Sequence, residues 1–164
     1  MSRKVSLDLE RSPVGVGIRK VGQWVDAGDF TDGTGATGTL VLSKQIPAGS
    51  FVFGSKVTVT TAFDAGGTAV MDIGDGSDAD LFSLTTHNIE TVAANLVEGA
   101  SAGTNSDDYS GIVPVASDTS ITLTVTEGGS DFTLIGTTGR MFVEVFYFST
   151  NPEIIDQVST RYDG

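Results

Sequence analysis

The sequence predicts an all-β protein, an antiparallel β-sandwich of the jelly-roll type with an extended N-terminal arm. Short alternating runs of Val, Ile, Leu and Phe predict strands, and stretches of Gly, Thr, Ser, Asp and Asn separate them, with glycine at 21 of 164 positions. About eight or nine such runs fit two packed sheets. We divide the chain into an arm at residues 1–36, a sandwich at 37–150, and a C-terminal tail or short helix at 151–164.

Alternation and turn residues place the strands in order. The main predicted strands are residues 39–43, 51–53, 56–63, 69–73, 119–126 and 140–148. Pro47 and Gly49 predict a turn after the first, because proline presets φ and glycine supplies the flexible position. Residues 88–96 fit a helical face slightly better than a strand, but their strand neighbours favour an edge strand.

The strand at 140–148 is apolar on both faces. Met141, Val143, Val145 and Tyr147 lie on one side, and Phe142, Phe146 and Phe148 lie on the other. A strand that is apolar on both sides needs a second apolar partner. We therefore predict that the three phenylalanines form a subunit interface of a homo-oligomer, most plausibly a trimer.

The arm is basic, whereas the body is acidic. The net charge is +3 over residues 1–20, −13 over 21–139 and −2 over the remainder. This asymmetry predicts that the arm contacts something that the body does not, with a solvated, frayed terminus as the alternative. The candidate contact residues are Arg3, Lys4, Arg11, Arg19, Lys20 and Trp24.

The tail leaves two structures open. Asn151, Pro152 and Glu153 are typical of a helix start, and Ile154 and Val158 are four residues apart. A short docking helix and an unstructured tail both fit.

Composition excludes several classes of function. A net charge of −12 argues against nucleic-acid binding, since phosphates would be repelled. The chain has no cysteine and one histidine, which leaves no thiolate chemistry and no pair of imidazoles. No window is apolar enough for a transmembrane helix, and the start lacks a signal peptide. We therefore expect a protein that is not an enzyme, is made in a cytoplasm and binds no membrane.

One loop has the composition of a cation site. Asp72, Asp75, Asp78 and Asp80 lie within nine residues together with two glycines. Clustered carboxylates suit calcium, although the spacing is not that of an EF-hand. A polar turn with backbone hydrogen bonds fits as well, and a carboxylate pair for glycoside hydrolysis is a third interpretation. Apart from this candidate calcium we expect no cofactor.

Several stretches resemble small structural proteins encoded among the head genes of tailed bacteriophages. They are Ile46-Pro-Ala-Gly49, the strand ending at Asp64, Ile73-Gly-Asp-Gly-Ser-Asp-Ala-Asp80, Ile112-Val-Pro-Val115, and Gly139 through Tyr147. The resemblance covers residues 37–148 and consists of strand and turn patterns. It implies a jelly-roll capsid decoration, or cement, protein, often trimeric, with no active-site residues.

The predicted function is therefore a structural virion protein on the capsid exterior. Its expected partners are the major capsid protein and further copies of itself. It would stabilise the shell, because a ligand that binds only the assembled lattice stabilises that lattice. The alternative is a tail or head-fibre module that binds host glycans.

Overall fold

The computed structural model describes residues 18–64, 68–83, 86–95, 114–133 and 138–149, which form two antiparallel sheets. The four-stranded sheet has the order β1 (Ile18–Asp26), β9 (Arg140–Ser149), β4 (Ser50–Thr61) and β7 (Ala93–Asn95). The five-stranded sheet has the order β2 (Thr31–Asp32), β3 (Thr37–Ile46), β8 (Thr119–Glu127), β5 (Ala69–Gly74) and β6 (His87–Asn88). The predicted antiparallel β-sandwich is confirmed.

The strand pairing is nested. Strand β1 pairs with β9 and β3 with β8, while β4 lies between β9 and β7 and β5 lies between β8 and β6. Strands β1, β3, β4 and β5 thus each pair with a strand that follows residue 86, so early strands pair with late ones. Two Greek keys arranged this way are typical of a jelly roll. The jelly-roll type stays a prediction.

Alternate residues of each strand fill the core between the sheets. The core contribution of β9 is Met141, Val143, Val145 and Tyr147, and that of β8 is Ile121, Leu123 and Val125. Burying an aliphatic side chain of this size contributes about 1.5–3 kcal/mol. The inward face predicted for β9 is therefore the core face, and its phenylalanines lie on the other side of the sheet.

A β-bulge in β4 decides which of its side chains enter the core. The register with β9 shifts between Val52 and Gly54, so Phe53 is the extra residue. Val52 is buried, and unbroken alternation would bring Lys56 into the core as well. Beyond the bulge Val57 and Val59 are buried instead, and Lys56 lies on the outer face.

Residues 18–36 belong to the sandwich and not to an arm, which corrects the boundary predicted at residue 36. Strand β1 pairs with β9 from Ile18 opposite Phe148 to Asp26 opposite Arg140. Val21, Val25, Ala27 and Phe30 are buried in the core. The glycine-rich composition suggested an arm, yet Gly22 has a packing role, because a Cβ there would lie 2.9 Å from the Phe142 ring.

The remaining parts of the predicted arm and tail, residues 1–17 and 151–164, lie outside the described residues. Asn88 ends β6 and Ala93–Asn95 form β7, at edges of different sheets, and residues 89–92 between them belong to no strand. The stretch therefore holds short strand segments and no helix, but it is not the single edge strand that the sequence predicted. Within the described part of the chain, no helix has the length and apolar character needed to cross a membrane.

Candidate interaction surface

The outer face of the four-stranded sheet carries a group of aromatic side chains from three adjacent strands. They are Trp24 on β1, Phe142, Phe146 and Phe148 on β9, and Phe51 and Phe53 on β4. We call this surface the aromatic face. It forms because outward positions of neighbouring strands fall opposite one another in the register.

One group of rings lies at the Arg140 end of β9. The ring centroids of Trp24 and Phe142 are 5.0 Å apart, with their planes tilted by 48°. The Arg140 guanidinium lies 4.9 Å from the centroid of the Trp24 ring, a cation–π geometry. It also lies 3.6 Å from a carboxylate oxygen of Asp26. These contacts hold the indole in place although it is 48% exposed.

A second group of rings lies at the other end of the face. Phe51 and Phe148 stack with centroids 4.8 Å apart and planes only 8° from parallel. Phe53 lies against both Phe146 and Phe148, at 6.1 and 6.4 Å between centroids. Phe53 and Phe148 remain 37% and 36% exposed, so this packing leaves ring surface for a further contact.

Charged groups separate the two groups of rings. Glu144 lies on β9 between Phe142 and Phe146, and its side chain is only 10% exposed despite pointing outward. The Lys20 ammonium donates to Glu144 Oε1 at 2.5 Å. Lys56 lies directly across from Glu144 on β4. Along β9 the aromatic face thus consists of one group of rings, then the charged pair with Lys56 beside it, then the second group of rings.

The outer face of the five-stranded sheet is different in character. On β3 and β8 its outward positions hold Thr39, Val41, Thr122, Thr124 and Thr126, of which Thr122 is buried. We call this surface the threonine face. Among the described residues of this face, Val41 is the one large apolar side chain that is strongly exposed. The sandwich therefore presents an apolar, aromatic surface on one side and a hydroxyl-rich surface on the other.

Two residue sets that were predicted as separate surfaces come together. Lys20 and Trp24, predicted to contact a capsid, lie on the aromatic face with Phe142, Phe146 and Phe148, which were predicted as a subunit interface. Arg19 lies on the opposite side of β1, half-buried and level with Tyr147. Arg3, Lys4 and Arg11 lie outside the described residues.

Sequence reasoning missed four members of this surface, Phe51, Phe53, Lys56 and Glu144. Alternation along the predicted strand could have identified Phe51 and Phe53. Both flank Val52, which is buried, so their side chains point to the opposite side of the sheet. Which β9 residues lie beside them depends on the pairing register of β4 with β9, and the sequence alone does not give that register.

The acidic loop, residues 72–80, is built as a polar turn. The Asp75 carboxylate accepts hydrogen bonds from the backbone N–H groups of Ser77, at 2.8 Å, and Asp78, at 2.9 Å. The Asp75 N–H donates to the Asp78 carbonyl at 3.0 Å. Asp72 lies apart from the turn, on β5 opposite Thr124. This geometry matches the polar-turn interpretation.

Two carboxyl groups of the loop titrate abnormally. Partial burial and, to a lesser extent, the nearby charge of Asp80 together raise the pKa of Asp72 to about 6. Partial burial, followed by a hydrogen bond with the Asp80 carboxyl, also raises the pKa of Asp78. Among the described residues, no three His, Asp or Glu side chains group closely enough to hold a metal ion. Calcium binding stays a prediction.

Comparison with solved structures adds only a weak likeness. No protein-family model matches the chain, and no curated protein matches it. A similar solved structure is a chain titled as the acidic stable capsid structure of Helicobacter pylori bacteriophage KHP30. It is 11% identical with a TM-score of 0.37, over 82% of this chain and 94% of that chain. A likeness of this size carries no functional argument.

Proposed function

We propose that the protein is a non-enzymatic structural component of a phage virion that binds the outside of the capsid through the aromatic face. The observation that carries the proposal is the contrast between the two outer faces of the sandwich. An exposed cluster of large rings on one face only is typical of a surface that another molecule covers. The sequence resemblance to head-gene structural proteins supports a capsid as that molecule.

The chemistry of the face suits a stabilising attachment. Trp24 and Phe53 offer large apolar areas, and a buried tryptophan is a common hot spot at protein interfaces. The rings are held by one another before docking, so little side-chain freedom is lost on binding. If the docking surface exists only in the assembled shell, mass action stabilises the shell.

In this arrangement the threonine face points away from the shell into solvent. The predicted homotrimer is a separate proposal, and its contacts then lie outside the aromatic face, because the capsid covers that face. This differs from the subunit interface that the sequence predicted at Phe142, Phe146 and Phe148.

The test uses empty shells assembled from the major capsid protein of the same phage, in co-sedimentation. We expect wild-type protein and Val41→Ala, on the threonine face, to bind equally. Trp24→Ala and Phe53→Ala should each weaken binding about tenfold or more, the size of an interface hot spot. Wild-type protein that does not bind shells, or Ala variants that bind as well as wild type, would contradict the proposal. Glycan binding that depends on Trp24 would favour the fibre role.

A further inference from the structure

We infer that the aromatic face docks on a different protein that presents a carboxylate within an apolar patch, and that Lys56 binds this carboxylate. The inference rests on the proposed docking and adds the chemistry of the partner. It concerns Lys56, which sequence reasoning assigned to no site.

The first step is the distribution of charge. The described residues include thirteen acidic and five basic side chains. Three of the five cations, Lys20, Lys56 and Arg140, lie on the aromatic face, but only two of the acids, Asp26 and Glu144, do. The face is therefore weakly cationic on a strongly acidic protein. Local charges decide complementarity here, since salt screens charges beyond about 10 Å.

The second step concerns which cation lacks a partner. Lys20 is paired with Glu144, and Arg140 lies against both Trp24 and Asp26. Lys56 is half-buried opposite Glu144, yet it has no ion pair within the described residues. Docking an apolar surface over it would remove its water. A carboxylate on the partner is the group that compensates a desolvated ammonium.

A second copy of the chain does not meet this need as well. Face-to-face pairing would bring another Lys56 to the same surface, whereas each Glu144 already has Lys20. An anionic lipid surface is disfavoured because it would set an array of phosphates against Asp26 and Glu144, the two acids of the same face.

The first experiment measures binding to the same shells for Lys56→Gln and, as a matched control, Lys44→Gln on β3. We expect Lys56→Gln to bind about tenfold more weakly, as when a charge-assisted hydrogen bond is lost on a desolvated surface, and Lys44→Gln to bind normally. Equal binding of wild type and Lys56→Gln overturns this inference alone. Absence of wild-type binding overturns the proposed function and this inference together.

The second experiment identifies the partner group. A water-soluble carbodiimide joins an amine to a carboxylate in direct contact, forming an amide and releasing the reagent as a urea. With wild-type protein on shells, peptide mass spectrometry should find Lys56 joined to an Asp or Glu of the shell protein. A Lys56 crosslink to a second copy, no crosslink at Lys56, or Lys56-dependent binding to phosphatidylglycerol vesicles would each overturn the inference.

Discussion

Gly74 lies where the chain leaves no room for a side chain. A Cβ there would overlap the Asp78 carbonyl oxygen and would lie 2.6 Å from the Ala79 carbonyl. Since both obstacles are backbone, Gly74→Ala should destabilise the fold by about 1–3 kcal/mol, as overpacking does. Gly28→Ala is the matched control, because nothing lies within 4 Å of its Cβ position, and it should change stability by less than about 0.5 kcal/mol. Urea denaturation measures both, and equal midpoints would mean that the loop adjusts at no cost.

Asp72 should make stability depend on pH. Its pKa rises from 3.8 in the unfolded chain to about 6 in the folded protein, so the folded state holds the proton more tightly. Stability contributed by this group therefore falls as pH rises from about 4 through about 6. Asp72→Asn removes the effect and should stabilise the protein at pH 7.5 but not at pH 3.5. Because the carboxyl is only half-buried, we expect a gain of about 1 kcal/mol after allowing for solvent screening.

The control for this prediction is Asp131→Asn, which removes one charge from an exposed site. Chemical denaturation of the three proteins at both pH values separates the local effect from the general relief of negative charge. A gain for Asp72→Asn that is the same at pH 3.5 and pH 7.5 would contradict it.

At the scale of elements, β1 decides where the domain begins. A chain that starts at residue 27 lacks β1, which leaves one edge of β9 unpaired and removes Val21 and Val25 from the core. Such an edge promotes aggregation. We expect this truncation to be insoluble or to lose its cooperative thermal transition, whereas a chain that starts at residue 18 keeps both. Circular dichroism and light scattering compare them, and a soluble, cooperatively folding chain from residue 27 would restore the arm boundary near residue 36.

The sequence predicted β8 and β9 well but missed β1, for a physical reason. In β8, threonines alternate with Ile121, Leu123 and Val125, so one face is plainly apolar. In β1 only Val21 and Val25 are buried, and the outward positions hold Lys20, Gly22 and Trp24. An edge strand with an aromatic outer face lacks a clean alternation. Its assignment depends on pairing with β9, which is distant in sequence.

At the scale of the whole molecule, the aromatic face exists only because topology joins distant segments. β9 lies between β1 and β4, so Phe142 meets Trp24 on one side and Phe148 meets Phe51 on the other. Local pattern indicated that these residues point away from the core. It did not indicate that they share one surface, and so the sequence analysis divided them between two partners. The register and the bulge at Phe53 supplied the missing information.

That shared surface leads to a prediction about assembly. Phe146→Asp places a charge within the aromatic face, and Thr126→Asp places the same charge on the threonine face. If the capsid covers the aromatic face, Phe146→Asp should abolish shell binding but leave the mass in solution unchanged, while Thr126→Asp should alter neither. For the proposed trimer of 17.0 kDa subunits, light scattering should give three times the subunit mass for all three proteins. Circular dichroism checks that both variants fold.

The outcomes distinguish the two uses of the face. If Phe146→Asp has the monomer mass while the other two proteins stay trimeric, the aromatic face is the subunit interface. Attachment to the shell would then need another surface. A wild-type protein that is monomeric at micromolar concentration would show that the homotrimer prediction is wrong but would leave docking through the face intact. Since a second copy offers the aromatic face no free carboxylate at Glu144, which Lys20 already pairs, we expect the mass to stay constant and the binding to be lost.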